Sequence, residues 1–490
     1  MSSKHFTATF FILVFLSSPF FVQADYLAQQ TRFYIEPSYD TSSRTEITAT
    51  CQIISGYSYI YIENSWWNSL EVEKKNKYIS ILKDLTQEFD SKIYSELTSY
   101  FGSEWKPGID NDEKITILIH PMKRDIKGYF RNSDEYLKNI LPASNQREMI
   151  YLNSSDLDLS YLPACLAHEF MHLIVFNQKE RQLGTSEETW LSEAYSEYAP
   201  NYLGYLNSSS EYLKSRIQNF LSNPSDSLVD WQGVVDDYGI INSFFTYLTD
   251  EYGSVILKDA LQTDTTGIAS LDYALKKNKI AKTFSQIFQD WAIAVYLNDC
   301  SVSNNYCFKN VAWQGITILP FNNFLPYSGQ STLALTRTLK NYSCQWQKFT
   351  GGNDDLKIEI SSSDENFSFY YLLQNKTKEA PIEIAKMRLT AKEDGSGRAG
   401  QIVISDFGSE FSSITIVSCY ANPLLAPSSV KRFTYSISAI SGIDQEVQPF
   451  HPQPGSLEAM LPFPVSKPLA EMSYRELLIV LIQLLLSRTA

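Results

Sequence analysis

The stretch Leu166-Ala167-His168-Glu169-Phe170-Met171-His172-Leu173-Ile174 decides how this chain is read. Leu166, Phe170, Leu173, Ile174 and Phe176 recur at helical spacing, and Pro163 suits the first turn of a helix over residues 163–178. On a helix, residues four apart share a face. His168 and His172 therefore present two imidazoles side by side, the donor pair a tetrahedral Zn2+ takes. Glu169 stands beside the same face, able to reach a metal-bound water without being a ligand. Zinc lowers the pKa of such a water to about 7, and a nearby carboxylate can take its proton as it attacks a carbonyl. The chain has only 5 histidines in 490 residues, so the pattern is a rare one to meet by chance.

A catalytic zinc needs a third protein ligand and an open position. Thr189-Trp190-Leu191-Ser192-Glu193-Ala194-Tyr195-Ser196-Glu197 supplies it on a second helix, expected over residues 187–198. Glu193 and Glu197 are four apart. One can ligate the metal while the other receives the second N–H of a ligand histidine. Thr185 with Glu188 reads as a capping box that opens this helix.

HExxH followed about twenty residues later by W-L-x-E-A-x-S-E resembles the gluzincins, thermolysin-like peptidases with a glutamate third ligand. REMIYLN at 147–153, LAHEFMHLI at 166–174, ETWLSEAYSEY at 188–198 and FSQIFQDWAIAVYL at 284–297 are similar to the hyicolysin family of secreted bacterial neutral metallopeptidases. The resemblance implies that Glu193 is the ligand, that Glu197 lies behind it, and that one Zn2+ is bound per chain. Ca2+ stays open, without support from any motif. The resemblance also implies a small sheet above the zinc helix, with an edge strand that pairs with extended substrate. Residues 147–152 are the candidate for that edge, with an ordinary core strand as the alternative. Gluzincins use a downstream Tyr or His as oxyanion donor. Tyr238, opening a helix over 238–252, is the choice here, against the simpler role of a packing residue. His120, ending a strand, and His451, in a Pro-rich stretch, are weaker candidates.

The expected architecture is α+β: a zincin-like catalytic domain over residues 25–325, then a β-sandwich-like domain over 331–443. A hairpin turns near Ser55-Gly56, a long helix covers 68–101, and KITILIH at 114–120 is a strand. Residues between that strand and 147–152, Gly128-Tyr129-Phe130 included, read as a surface loop. Further helices are expected at 254–261, 268–277 and 282–297, with Gly253 capping the helix before them. Short alternating runs at 356–360, 367–373, 401–405, 413–418 and 433–437 carry the sandwich. Residues 445–490 read as a Pro-rich linker and an apolar C-terminal helix. That helix is about half a membrane span long. It suits packing on the protein, lying on a membrane, or joining a partner.

Residues 1–24 read as a cleaved export signal, with Val22-Gln23-Ala24 before the cut and Asp25 after it. The protein is then secreted or held at the cell surface, and disulfides are permitted. Cys300 and Cys307 are the best local pair, Cys344 and Cys419 could join across strands, and Cys51 and Cys165 are left over. The net charge of −14 disfavours nucleic acid as a partner. The sequons at Asn153, Asn207, Asn341, Asn366 and Asn375 matter only in a eukaryotic secretory route. The expected activity is a zinc endopeptidase acting on protein or peptide. A catalytically silent adhesin of the same fold is the first alternative. The second is an aminopeptidase, although the Gly-x-Met-x-Asn-like segment of that subgroup is absent.

Overall fold

Alternating Ile and Tyr make strands that can be buried on both faces. In β3 (Ser58–Glu63), Ile60 and Ile62 point to one side and Tyr59 and Tyr61 to the other, and all four are fully buried. A strand of this kind belongs at the centre of a sheet covered on both sides. The first sheet has six strands in the order β1-β2-β3-β4-β6-β5. These are β1 (Gln30–Tyr34), β2 (Glu46–Ile54), β3, β4 (Ile115–His120), β5 (Gly128–Phe130) and β6 (Met149–Asn153). β3, β4 and β6 run parallel, and β1, β2 and β5 are antiparallel to their neighbours. The computed structural model describes residues 24–440 apart from 327–330, 353–354 and 378–380, together with Leu469, Leu477, Val480 and Leu481.

The long helix expected over 68–101 is a broken series. α1 (Asn64–Ser69) is followed by α2 (Val72–Glu88), a π-helical turn at Phe89–Ile93 and α3 (Tyr94–Phe101). The π turn aims Asp90 at the β2–β3 hairpin, where its carboxylate accepts from the backbone N–H of Gly56 at 2.7 Å and from Ser55 Oγ at 3.0 Å. The helix of the His168–His172 motif is α4 (Leu162–Phe176), continued by a π turn at Asn177–Arg181. Then come α5 (Thr189–Tyr202), α6 (Glu211–Ser222), α7 (Val235–Tyr252), α8 (Val255–Leu261), α9 (Gly267–Lys277) and α10 (Phe284–Leu297). Gly253 caps α7 as expected. The capping box expected from Thr185 and Glu188 does not form, because Glu188 turns away to accept from Trp190 Nε1 at 2.6 Å.

The remaining strands are β7 (Phe321–Leu325), β8 (Ser331–Lys340), β9 (Ser343–Gly351), β10 (Asp355–Ser362), β11 (Phe367–Asn375), β12 (Glu383–Lys386), β13 (Thr390–Ala391), β14 (Arg398–Ile404), β15 (Phe411–Tyr420) and β16 (Val430–Ile440). They form two five-stranded sheets, β13-β14-β10-β16-β8 and β12-β11-β15-β9-β7, around a shared core that includes Phe349, Ile358, Phe369, Ile416 and Phe433. Each of the five runs expected in this region falls on a strand. β7 pairs with β9, so the sandwich starts before residue 325 rather than at 331. No free linker separates it from the helices. Trp346 Nε1 donates to the Ala292 carbonyl at 2.7 Å, and Trp346, Cys344 and Val417 join the helical core. The described residues through Ala439 therefore belong to one compact unit.

Cys300 and Cys307 form the expected disulfide. Cys344 and Cys419 face one another across β9 and β15 but remain thiols, as do Cys51 and Cys165. The Asn153 and Asn341 side chains are buried and hydrogen-bond to loop carbonyls, so neither can carry a glycan in the folded chain. All but Ala24 of the export signal expected over residues 1–24, together with His451 and the apolar run over 474–488, lie outside the described residues, apart from Leu477, Val480 and Leu481. Among the described residues no helix is long and apolar enough to cross a membrane.

Candidate metal centre

α4 is apolar on nearly every side, and all but two of its residues are buried. A helix so enclosed tolerates a histidine only where something accepts it. His168 and His172 sit one turn apart on the side facing α5, with ring centroids 5.1 Å apart. α5 sets Glu193 against both. Its Oε2 lies 3.4 Å from His168 Nε2 and 3.7 Å from His172 Nε2. A tetrahedral ion with bonds of 2.0–2.1 Å has edges of about 3.3 Å between ligand atoms. The three side chains thus stand close to the corners such an ion needs, and their ligand atoms all lie within 4.8 Å of one another. Glu193 Oε2 is buried and accepts no hydrogen bond, as expected of an oxygen reserved for a cation.

Glu197 lies behind this group. Its Oε1 is 3.4 Å from His168 Nδ1, the nitrogen that points away from Glu193. Its carboxylate is 1% exposed and is held by Arg216, whose Nε and terminal nitrogen donate at 3.0 and 2.7 Å, and by the Tyr212 hydroxyl. Tyr212 and Arg216 come from α6, a helix the sequence analysis did not place. Its signal was present: Ser210 as N-cap, then Leu213, Ile217 and Phe220 at helical spacing. Gly239 lets α6 approach α7, since a Cβ there would fall 2.5 Å from the Phe220 nitrogen. Ser192 Oγ lies 3.3 Å from His172 Nδ1 and Phe130 stacks on the His172 ring, so both imidazoles are fixed from behind.

Glu169 projects from α4 toward β5. The backbone of β5 passes so close that a Cβ on Gly128 would lie 2.9 Å from Glu169 Oε1 and 2.8 Å from the Tyr151 carbonyl. β5 is the outer strand of the sheet, paired only with β6. The expectation that residues 147–152 form the edge is therefore corrected. β6 lies between β4 and β5, and the three residues read as loop, Gly128 to Phe130, are the edge. A run of three is too short to show alternation.

Electrostatics in the metal-free site separate the groups. Burial opposes charge on His168, but Glu193, Glu169 and Glu197 outweigh it and raise the imidazole to about 9. Burial prevails at His172 and holds it near 4 against the pull of Glu193. Burial pushes Glu169 up to about 8, opposed by His168 and reinforced by Glu193 and Glu197. Burial also acts on Glu193, yet His172, His168 and Arg216 keep it below the ordinary carboxylate range. Glu169 is thus a carboxylate poised near neutral pH, and Glu193 one that stays ionised.

These groups line a cleft of about 630 Å3 that also takes in Tyr39, Tyr238 and Arg216. Tyr238, near the start of α7, has its ring 6.5 Å from that of His168, with the Arg216 guanidinium 4.5 Å from its face. Tyr39, from the β1–β2 connection, was not singled out in the sequence. It packs edge-on to Tyr129, and burial, Glu36, Glu193 and Glu169 together raise its hydroxyl pKa. His120 is excluded from the site. It is fully buried on the far side of β5, with Nε2 3.1 Å from the Tyr129 hydroxyl.

No protein-family model matches the chain, and no curated protein matches it. Solved structures similar to parts of it include PliG, a periplasmic inhibitor of g-type lysozyme from Salmonella Typhimurium (12% identity, 24% of this chain and 97% of that one, TM-score 0.17). The pre-peptidase C-terminal domain of a Bacillus anthracis collagenase is another (7% identity, 24% and 96%, TM-score 0.16). A family GH115 4-O-methyl-α-glucuronidase spans more of the chain (12% identity, 67% and 51%, TM-score 0.15). Scores of this size carry no argument about fold or function.

Proposed function

We propose that the protein is a secreted, gluzincin-like zinc endopeptidase with a zincin-type catalytic region. The observation that carries this reading is the convergence of His168 Nε2, His172 Nε2 and the donor-free Glu193 Oε2 at tetrahedral spacing. Two imidazoles and one carboxylate suit zinc, and His2Glu with one open position is a catalytic rather than a structural set. When bound, zinc would acidify a water and polarise a carbonyl.

The chain's own residues then do the following. Glu169, raised toward neutral by burial, takes a proton from the attacking water and delivers it to the leaving nitrogen. Tyr238 donates a hydrogen bond from its hydroxyl to the developing oxyanion and keeps its proton. Glu197, anchored by Arg216, fixes His168 in orientation and keeps its Nε2 turned to Glu193. The free edge of β5 offers backbone groups to an extended peptide, which would lie as an added strand beside Glu169. Protein or peptide is thus the partner, and export through the 1–24 leader sets the location.

Metal content by mass spectrometry and hydrolysis of a casein-like substrate test the reading. One zinc per chain is expected, with activity lost on chelation and restored by zinc. Glu169→Gln is expected to keep the metal and lose activity by about 10²–10⁴-fold. A Glu169→Gln protein that cleaves as fast as the parent overturns the mechanism. A zinc-loaded parent inert toward a broad peptide library favours the silent adhesin instead.

A further inference from the structure

One end of the candidate cleft is bridged. β5 runs alongside α4 in the same direction. A Cβ on Gly128 would lie 2.9 Å from Glu169 Oε1, whereas Phe130 stacks on His172 and packs on Phe176, further along the helix. The chain that leaves β5 continues past that end. Tyr136 packs edge-on to Phe176, and its hydroxyl donates to Glu180 Oε2 at 2.8 Å. The other oxygen, Oε1, accepts from Ser186 Oγ at 3.0 Å. Glu180, on the π turn that extends α4, thus ties the segment after β5 to the segment before α5. Those segments continue the two walls of the cleft, and the bridge crosses between them beyond His172. Glu180 and Ser186 both line the cleft.

Glu180 is the acid at this end that the protein leaves without a cation. Its neighbours in sequence are engaged elsewhere. Lys179 is fully buried, pairs with Glu187 at 3.1 Å and donates to the carbonyls of Ala260, Thr263 and Thr265. Arg181 lies over the Trp105 ring at 3.6 Å. Glu187 is occupied by Lys179 and by the backbone N–H groups of Gly267 and Glu188. Among the described residues no ion pair forms on Glu180, and its two donors are neutral hydroxyls. A carboxylate has about four acceptor positions, so part of its capacity stays open on a half-buried side chain at the cleft wall.

Spacing decides which part of a substrate reaches it. Glu180 follows His172 by eight positions, about 12 Å at the rise of a helix. A peptide added to β5 in the commoner antiparallel sense has its N-terminal part on this side of the metal centre. At about 3.4 Å per residue of strand, some three residues fill the interval.

We propose, resting on the peptidase reading above, that Glu180 is a specificity residue whose carboxylate binds a substrate cation carried about three residues ahead of the scissile bond. Two sources offer that chemistry. One is the α-ammonium of a peptide that begins there. The other is a Lys or Arg side chain in a longer peptide that passes the bridge. Either donates to the open acceptor positions and supplies the charge that Lys179 and Arg181 do not. Tyr136 and Ser186 hold the carboxylate in place, so the cation meets an acceptor already oriented.

The test uses the full chain loaded with zinc and synthetic peptides of one core sequence. A first pair begins at the stated position, with its α-amine free or acetylated. A second pair is longer at the N-terminus and carries Lys or Ala at that position. The cationic member of at least one pair should be cleaved with kcat/KM about tenfold above its neutral counterpart, as one charge-assisted hydrogen bond gives. The pair that shows the ratio identifies the source of the cation. Glu180→Gln should remove the preference while zinc stays bound. The same preference should appear as a Kd ratio, by fluorescence anisotropy, in Glu169→Gln, where the peptide is not turned over. A parent that cleaves all four peptides without preference overturns this proposal and leaves the peptidase reading standing. So does a preference that Glu180→Gln leaves intact. A zinc-loaded parent that cleaves none of them overturns the peptidase reading, and this proposal with it. The ratios of the parent need no variant, so they decide the matter even where Glu180→Gln fails to fold.

Discussion

One short strand, β5, has a buried histidine cluster on each side. Below it lie His168, His172, Glu193, Glu197 and Arg216. Above it lie His120, Asp40, Glu63 and Arg44. The inventories are nearly the same: histidine, two carboxylates and an arginine. The wiring differs. Asp40 accepts from the Arg44 side chain and from the backbone N–H groups of Ser42 and Arg44, and Glu63 accepts from Arg44 and from the Trp66 backbone. His120 Nδ1 stands 3.6 Å from Asp40, and Nε2 meets the Tyr129 hydroxyl. Those acids are used up by protein donors. In the lower cluster Glu197 is used up in the same way, but Glu193 Oε2 has no donor and faces two imidazole nitrogens and open cleft. Composition does not distinguish a structural ion cluster from a site. The convergence of three ligand atoms within 4.8 Å of one another, one of them a buried oxygen with no protein donor, does.

The contrast breaks most easily at the ligand. On the proposed zinc-peptidase reading, Glu193→Ala should abolish zinc binding and all measurable hydrolysis, a loss beyond the 10–100-fold that outer-shell partners cost. Glu63→Ala, its counterpart above β5, should leave zinc stoichiometry unchanged. Zinc content of the two purified variants checks both. Equal metal loss in the two would erase the distinction drawn here.

The arginines sharpen it next. Arg216→Met leaves the Glu197 carboxylate buried without its cation, and Arg44→Met does the same to Asp40. Each should destabilise the metal-free chain in denaturant unfolding, by less than the roughly 3–5 kcal/mol of a fully orphaned buried charge, because His168 stays beside Glu197 and two backbone N–H groups stay on Asp40. Only Arg216→Met should also weaken zinc binding, since Glu197 orients His168. A smaller effect is expected from Gly128→Ala. The new Cβ would press on Glu169 and on the Tyr151 carbonyl. A base moved by a fraction of an ångström should lower kcat by about 10–100-fold with zinc retained.

The lower cluster was far more legible in the sequence than its surroundings. His168, Glu169, His172, Glu193 and Glu197 are spaced at one and four along two helices, and helix geometry alone brings each set to one face. Pairing between the two helices needed only a short connection. Arg216 was hidden because a charged residue on an amphipathic helix looks solvated until its neighbours are known. The edge strand was hidden because strand order is non-local: nothing in residues 128–130 says that β6 stands between them and β4. Asp25 and Arg147 are 122 positions apart, and no local rule pairs them. Cys344 and Cys419 were legible as neighbours, though not as a bond.

The upper cluster makes the smallest and most specific prediction, through pH. Burial works against the Asp40 charge, but the Arg44 hydrogen bonds and the backbone N–H groups of Arg44 and Ser42 prevail and hold the carboxyl at about 2, against an ordinary 3.8. A carboxylate depressed in the folded state adds stability that is present above its unfolded value and is lost as pH falls through the folded one. Asp40 should therefore contribute a loss of stability between about pH 4 and 2. His120 acts in an earlier window. Burial holds it at about 4, below its ordinary 6.5, so the unfolded chain takes up that proton first and stability falls from about pH 6.5 to 4. Denaturant unfolding across pH 7 to 2 should show both slopes, and Asp40→Asn should flatten the lower one. An unchanged slope below pH 4 in Asp40→Asn would mean that Arg44 and the two backbone donors do not hold the charge there. The upper cluster would then be no better satisfied than the lower one, and its acids could no longer be described as occupied by protein donors.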